Sequence, residues 1–307
     1  MDKREQWFRE GAPLFRRALE QLQLADRLPN TQDDYYACPC CLIAYPFEAV
    51  EAKVLTTEHV PPDALGGRGM LLTCKHCNNN AGRYFDVHAI KRANVHNFLL
   101  RRETNRPVRA VFLADGISVR GEVQSYGTGW LMQGVPKQND PAMLAAHEKA
   151  LREASERGEA PTFTFTLTER FSPQHADLSW IRSAYLAAFA ALGWRYILRA
   201  ALDPIRAQLK SNSPTELPLI IGFNPKADSN ARSIMIVREP ECLSSVHVVI
   251  GHYSVFLPDP WGTLSLQELA ESIAGLSDET GCVTAELSGQ VADWPTKATY
   301  LLDKLTR

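Results

Sequence analysis

The 307-residue chain has no uninterrupted apolar run long enough to cross a membrane. Its most apolar stretch, residues 184–202, is broken by Arg195 and Arg199 and reads as a buried amphipathic helix. The first five residues are charged apart from Met1, and no apolar segment follows them, which argues against a secretory leader. No membrane partner is expected, and the expected location is cytoplasmic. A large charge of either sign is also missing: 33 Lys and Arg stand against 35 Asp and Glu, a net charge of −2. The molecule is therefore no polycation, and any affinity for nucleic acid must come from a local basic face. Internal repeats and low-complexity tracts are absent. With 45% hydrophobic and 22% charged residues, the composition excludes disordered and collagen-like chains. The length suits two moderate domains, each able to bury a core.

Cysteine is scarce and unevenly placed. Of seven, Cys38, Cys40, Cys41, Cys74 and Cys77 fall within forty residues, while Cys242 and Cys282 stand alone. In a reducing compartment such clustering points to metal and not to disulfides.

Periodicity supplies the rest of the outline. Residues 3–27 place Trp7, Phe8, Leu14, Phe15, Leu19 and Leu22 at helical spacing, with Gly11 and Pro13 as candidate break points. Residues 29–34 are turn-rich. Residues 108–113 and 117–123 predict a hairpin around Asp115-Gly116. Residues 142–157 predict an exposed helix, and residues 162–167 a half-buried strand. Residues 178–209 predict one long helix with a wide apolar stripe in which Trp180, Tyr185 and Trp194 are core. Residues 217–223, 233–237, 246–257 and 283–287 are β-rich. The expected fold class is α+β, with a mainly antiparallel sheet and a long helix in the second half. The expected division is 1–34 as an N-terminal amphipathic helix, 35–97 as the cysteine-bearing domain and 98–307 as an α+β domain for target recognition or regulation.

The chemical signal is Cys38-Pro39-Cys40-Cys41, then thirty-two residues, then Cys74-Lys75-His76-Cys77. Two Cys-x-x-Cys knuckles, Cys38 with Cys41 and Cys74 with Cys77, supply four thiolates for a closed tetrahedral Zn²⁺ site. With no open position left for substrate, such a zinc is structural. Cys40 has poor spacing to either partner and is left out, and His76 is read as solvent-facing. The insert exceeds the usual 15–20 residues of a zinc ribbon and carries Thr57-Glu58-His59-Val60-Pro61-Pro62, Gly66-Gly67, a short strand at residues 70–73, and Asn78 directly after Cys77.

Glu58-His59-x-x-Pro, Gly-Gly and Leu-Thr-Cys-x-x-Cys-Asn-Asn, in that order, resemble the HNH endonucleases, the ββα-metal nucleases with a four-cysteine zinc. The resemblance covers roughly residues 37–88. It implies a small zinc-stabilised ββα-metal unit in which His59 is the general base for the attacking water. It further implies that Glu58 and Asn78 give oxygen ligands to a catalytic Mg²⁺ or Mn²⁺. Glu stands where Asp is commoner, and the family's middle Asn is missing, with Gly69 near its place.

The implied function is metal-dependent hydrolysis of DNA phosphodiester bonds, nicking one strand at a time, with a double-strand break needing two units or two events; the choice of DNA over RNA is left open. Restriction or phage defence is a setting suggested by analogy alone. Arg68, Arg83, Lys91, Arg92, Arg101 and Arg102 lie in a locally basic stretch, opposed between 91 and 109 by Glu103, and are the candidate phosphate contacts. Asn79 and Asn80 read as capping residues. Asp86 and His88 read as structural or supporting groups, and His175, His247 and His252 as structural. An activating partner or a second copy is expected to act through the C-terminal domain. The rival reading is a non-catalytic, zinc-dependent module that binds nucleic acid or protein.

Overall fold

The computed structural model describes residues 2–28, 33–102, 104, 106–127, 129–158, 164–211 and 213–305. Residues 29–32 of the expected turn, the position of Glu103, and residues 162 and 163 of the expected strand lie outside the described residues.

In chain order the elements are α1 (Lys3–Gln21), β1 (Tyr36–Ala37), β2 (Ala44–Tyr45), α2 (Glu48–Glu51), β3 (Leu55–Val60), β4 (Arg68–Cys74) and α3 (Lys75–Ala81). A π-helical turn, Gly82–Asp86, leads into α4 (Val87–Leu99), followed by β5 (Val108–Ala114), β6 (Ile117–Tyr126), β7 (Gly129–Gly134), α5 (Pro141–Glu156) and β8 (Thr164–Leu167). Then come α6 (Pro173–Leu192), α7 (Trp194–Ile197), α8 (Asp203–Lys210), β9 (Ile221–Phe223), β10 (Arg232–Glu239), β11 (Ser245–Ile250), β12 (Tyr253–Pro258), α9 (Leu266–Gly275), β13 (Ser288–Ala292) and α10 (Leu301–Lys304). The strand ladders are antiparallel, so the chain is α+β. No helix among the described residues is long and apolar enough to cross a membrane.

The chain divides into two compact units, Met1–Val87 with Gln174–Arg307, and His88–Pro173. This corrects the expected division at 34/35 and 97/98. The physical reason lies in what covers α1. Its Phe15 ring meets Trp194 at 4.8 Å, and Tyr36 meets the same indole at 5.2 Å. Phe189 packs on Trp194 at 4.6 Å and on Tyr300 at 5.7 Å. The N-terminal helix thus shares one aromatic core with residues from the far end of the sequence. Gly11 and Pro13 do not break it. A side chain at Gly11 would collide with Tyr36 and Tyr300, each 2.7 Å from an added Cβ, so the glycine serves close packing.

The first unit also contains the hairpins β1–β2 and β3–β4 and a five-stranded sheet in the order β13-β10-β11-β12-β9. Leu269 and Ile273 of α9 pack with Val237 and Leu243 in a common cluster. The expected strand at 246–257 is two strands, turned at Gly251 with φ +60°. The strand expected at 217–223 is confined to Ile221–Phe223, and the one expected at 283–287 is displaced to Ser288–Ala292. Burial covers α6 on every side from Leu178 to Leu192.

The single helix expected over 178–209 is three helices. The chain turns at Gly193, φ +97°, where an added Cβ would sit 2.0 Å from the Asp303 carboxylate. Asp303 accepts the N–H groups of Trp194 at 2.7 Å and Arg195 at 2.9 Å, which starts α7 afresh. Pro204 then lies in the first turn of α8.

The second unit is a four-stranded sheet in the order β7-β6-β5-β8, with α5 beside it. Asp115 (φ +48°) and Gly116 (φ +76°) form the left-handed pair that a primed hairpin turn requires, so β5 and β6 pair at the expected place. Phe98, Val108, Ala110, Phe112 and Val123 make its core.

Candidate metal centre and active site

The first knuckle is the turn of the β1–β2 hairpin. The Leu42 N–H bonds the Cys38 carbonyl at 2.8 Å, and the Cys38 N–H bonds the Ile43 carbonyl at 2.9 Å, with Leu42 in the left-handed region. The second knuckle is the junction of β4 and α3. Cys74 is the N-cap of α3, and its Sγ accepts the Cys77 N–H at 3.4 Å.

These two turns bring Cys38, Cys41, Cys74 and Cys77 together, with all four Sγ atoms within 4.8 Å of one another. Cys41 and Cys74 are 3.9 Å apart. A tetrahedron of sulfurs about 2.3 Å from zinc has edges of about 3.8 Å, so the set has the dimensions of a Zn²⁺ site. Cys40 is buried but outside the four, as the spacing predicted.

The electrostatics point the same way. Hydrogen bonds from Cys38, Cys41 and Cys77 hold the Cys74 thiol well below its ordinary range. Burial pushes Cys38 up, and the neighbouring thiols push Cys41 and Cys77 up. Four thiolates this close need a cation in place of the protons they give up.

Between the knuckles runs the β3–β4 hairpin. Its connection needs both glycines: Gly66 has φ +79°, and an added Cβ at Gly67 would lie 1.5 Å from the Pro61 carbonyl oxygen. The pairing register shifts between Glu58 and His59, where Met70 is the extra residue on β4. Glu58 is buried, whereas His59 is half-buried opposite Gly69. Gly69 has no side chain there; an added Cβ would be 3.9 Å from His59 Nε2. Asn78, in the first turn of α3, donates through Nδ2 to Thr56 Oγ1 and to the Thr57 carbonyl, both at 3.2 Å. Asn78 therefore braces the strand that carries Glu58 and His59.

The Glu58 carboxylate, 3% exposed, is held from a distant part of the chain. Arg182 of α6, itself 2% exposed, donates Nη1 to Oε1 at 3.0 Å and Nη2 to Oε2 at 2.6 Å across 124 residues of sequence. Thr73 Oγ1 donates to Oε2 at 2.7 Å. Burial disfavours the charged guanidinium, but the carboxylate of Glu58, with Cys40 and Asp86 behind it, outweighs this and holds Arg182 well above its ordinary pKa.

The donor set expected for Mg²⁺ or Mn²⁺ does not fit this arrangement. Both Glu58 oxygens already accept hydrogen bonds, and the charge of the carboxylate is met by the Arg182 guanidinium. Among the described residues, the cluster of His, Cys, Asp and Glu able to hold a metal is the four-cysteine set.

Two more polar groups of α6 reach the same region. Ser179 Oγ donates to Asp86 Oδ1 at 2.6 Å, and the Tyr185 hydroxyl donates to the Pro39 carbonyl at 2.7 Å. Ser179, Arg182 and Tyr185 recur every three residues and share one helix face. Sequence reasoning missed Arg182, Ser179 and Thr73 and placed Tyr185 only in the core. The available signal was a lone arginine inside an otherwise apolar helix, which a buried site tolerates only with a partner.

The remaining candidates are dispersed. His76 pairs with Asn80 at 3.1 Å, and His175 stacks on Phe85 at 6.2 Å. His88 belongs to the second unit, where its Nδ1 accepts the Ser172 N–H at 2.9 Å. Of the six basic candidates, Arg68 and Arg83 are exposed in the first unit and the other four belong to the second. Lys91 is engaged with Glu169 at 3.1 Å and with the Arg170 carbonyl at 3.1 Å, so it is no free phosphate contact. Arg92 is half-buried, whereas Arg101 and Arg102 are exposed. The Arg101 guanidinium lies 5.6 Å from the centre of the Trp130 ring.

Compared with known proteins, the chain matches no family model, no curated protein and no solved structure.

Proposed function

We propose that the chain is a zinc-clamped endonuclease of the HNH kind that hydrolyses DNA phosphodiester bonds, with His59 as its general base. The observation that carries this reading is the β3–β4–α3 unit. A four-cysteine cluster of zinc dimensions ties its β4–α3 junction to the β1–β2 turn, Asn78 braces its first strand, and the half-buried His59 follows directly on the buried Glu58. So small a unit builds no core of its own, and a zinc would supply the rigidity that a general base requires. The His59 imidazole would take the proton from a water attacking phosphorus in line. Because the Glu58 oxygens are committed to Arg182 and Thr73, no step is assigned to a divalent ion at that residue. Arg68 and Arg83, exposed in the same unit, are the cations available to hold a phosphate backbone.

The test is cleavage of supercoiled plasmid by zinc-loaded wild type and His59→Ala, each with Mg²⁺, with Mn²⁺ and without added metal. The reading predicts nicking by wild type and a loss of at least about 10²-fold in His59→Ala. A specific observation favours one alternative: the burial of Glu58 against Arg182 suits a non-catalytic module that binds nucleic acid or protein. Plasmid bound but left intact by wild type under every condition would establish that alternative.

A further inference from the structure

The disagreement at Glu58 has a chemical content of its own. A ββα unit with an acidic residue before its histidine is expected to offer that carboxylate to a hard divalent cation. Here the same carboxylate already has a cation. The Arg182 guanidinium meets it with two parallel N–H···O bonds at 3.0 and 2.6 Å, the fork geometry that suits arginine and carboxylate. Thr73 supplies a third donor at 2.7 Å. These donors take three of the carboxylate's about four lone-pair sites, and an ion at the remaining one would sit beside a fixed guanidinium that already neutralises the carboxylate and would repel a second cation.

The pair is built in. Arg182 stands on a helix buried on every side, and one turn earlier Ser179 ties the same helix to Asp86, just beyond the helix that carries Asn78. The α6 face therefore grips the unit on both sides of its second knuckle, at β3 and after α3.

We propose that Arg182 is the permanent counter-ion of Glu58, so that the substrate-free chain holds zinc at its cysteines but no divalent ion at Glu58. This makes Arg182 a positioning residue, which fixes Glu58 and the strand leading to His59. The proposal rests on the nuclease reading only for the expectation of an ion at Glu58, and its test involves no cleavage, so each can fail without the other.

The test is titration of substrate-free, zinc-loaded protein with Mn²⁺, counting the free ion by electron paramagnetic resonance. Wild type should show no Mn²⁺ site that depends on Glu58 up to millimolar concentration. Arg182→Gln should gain one site per chain, lost again in Glu58→Gln/Arg182→Gln, which keeps two neutral amides in place of the two charges. One Mn²⁺ per wild-type chain, absent from the double variant, would overturn the proposal and needs no single variant to fold. A folded, zinc-loaded Arg182→Gln that gains no site would overturn it too.

Discussion

The two ends of the β3–β4–α3 unit are held by opposite means. At one end, four cysteines from two turns of near-identical spacing converge on a point. At the other, one carboxylate is met by one guanidinium from 124 residues away, inside a helix that otherwise reads as core. The first end is local chemistry written as a pattern, the second a tertiary contact between two isolated charges. A metal knuckle needs its ligands at fixed short spacing and so leaves a trace in sequence, whereas a buried ion pair needs only that two residues meet after folding.

Removing the zinc should separate the ends most sharply. Cys77→Ser, or a strong chelator, should cost several kcal/mol and unfold the hairpin–helix unit. The five-stranded sheet, whose cluster of Val237, Leu243, Leu269 and Ile273 contains no cysteine, should keep its amide protection in hydrogen exchange.

The ion-pair end should respond next. Arg182→Met leaves the Glu58 carboxylate buried and unpaired and should cost about 3–5 kcal/mol in urea unfolding. Glu58→Leu/Arg182→Met removes both charges and should recover most of that loss. A double variant as unstable as the single would show that the grip of α6 depends on something other than the pair.

Acid should distinguish both ends from the sheet. Burial pushes the His247 imidazole, stacked on Phe256 at 4.5 Å, down to about 4 from its ordinary 6.5. The folded state thus keeps His247 neutral where the unfolded chain protonates it. Stability is lost as pH falls from about 6.5 through about 4, by up to about 3 kcal/mol. His247→Phe should lessen that slope while leaving unchanged the pH at which zinc is released, measured with a zinc-sensitive dye.

The smallest effect concerns the bond that joins α6 to the cysteine end. Tyr185→Phe removes the hydroxyl from the Pro39 carbonyl and should cost about 1 kcal/mol. If the first knuckle depends on α6, zinc should also dissociate faster from that variant.

Much of the local structure could be read from the residues. The Asp115-Gly116 turn was legible because two left-handed positions in a row demand such residues. The cysteine set was legible because a four-thiolate metal site dictates such spacing. The break of the long helix at Gly193 was not, since Asp303, 110 residues further on, decides it. Nor was the membership of α1 in the first unit's core, which depends on Trp194 and Tyr300. At the site, the glycines at 66 and 67, the place of His59 and the bracing amide of Asn78 lie in one continuous segment. The fate of Glu58 was settled by a residue outside it, and helical periodicity carries no information about which strand a buried arginine will meet.

Every further reading rests on the cysteine end, so the most direct test is the metal itself, by elemental analysis and zinc X-ray absorption on the purified chain. The account predicts about one zinc per chain with four sulfur neighbours at about 2.3 Å. A chain that folds with no metal, or a zinc with nitrogen or oxygen among its nearest neighbours, would contradict it.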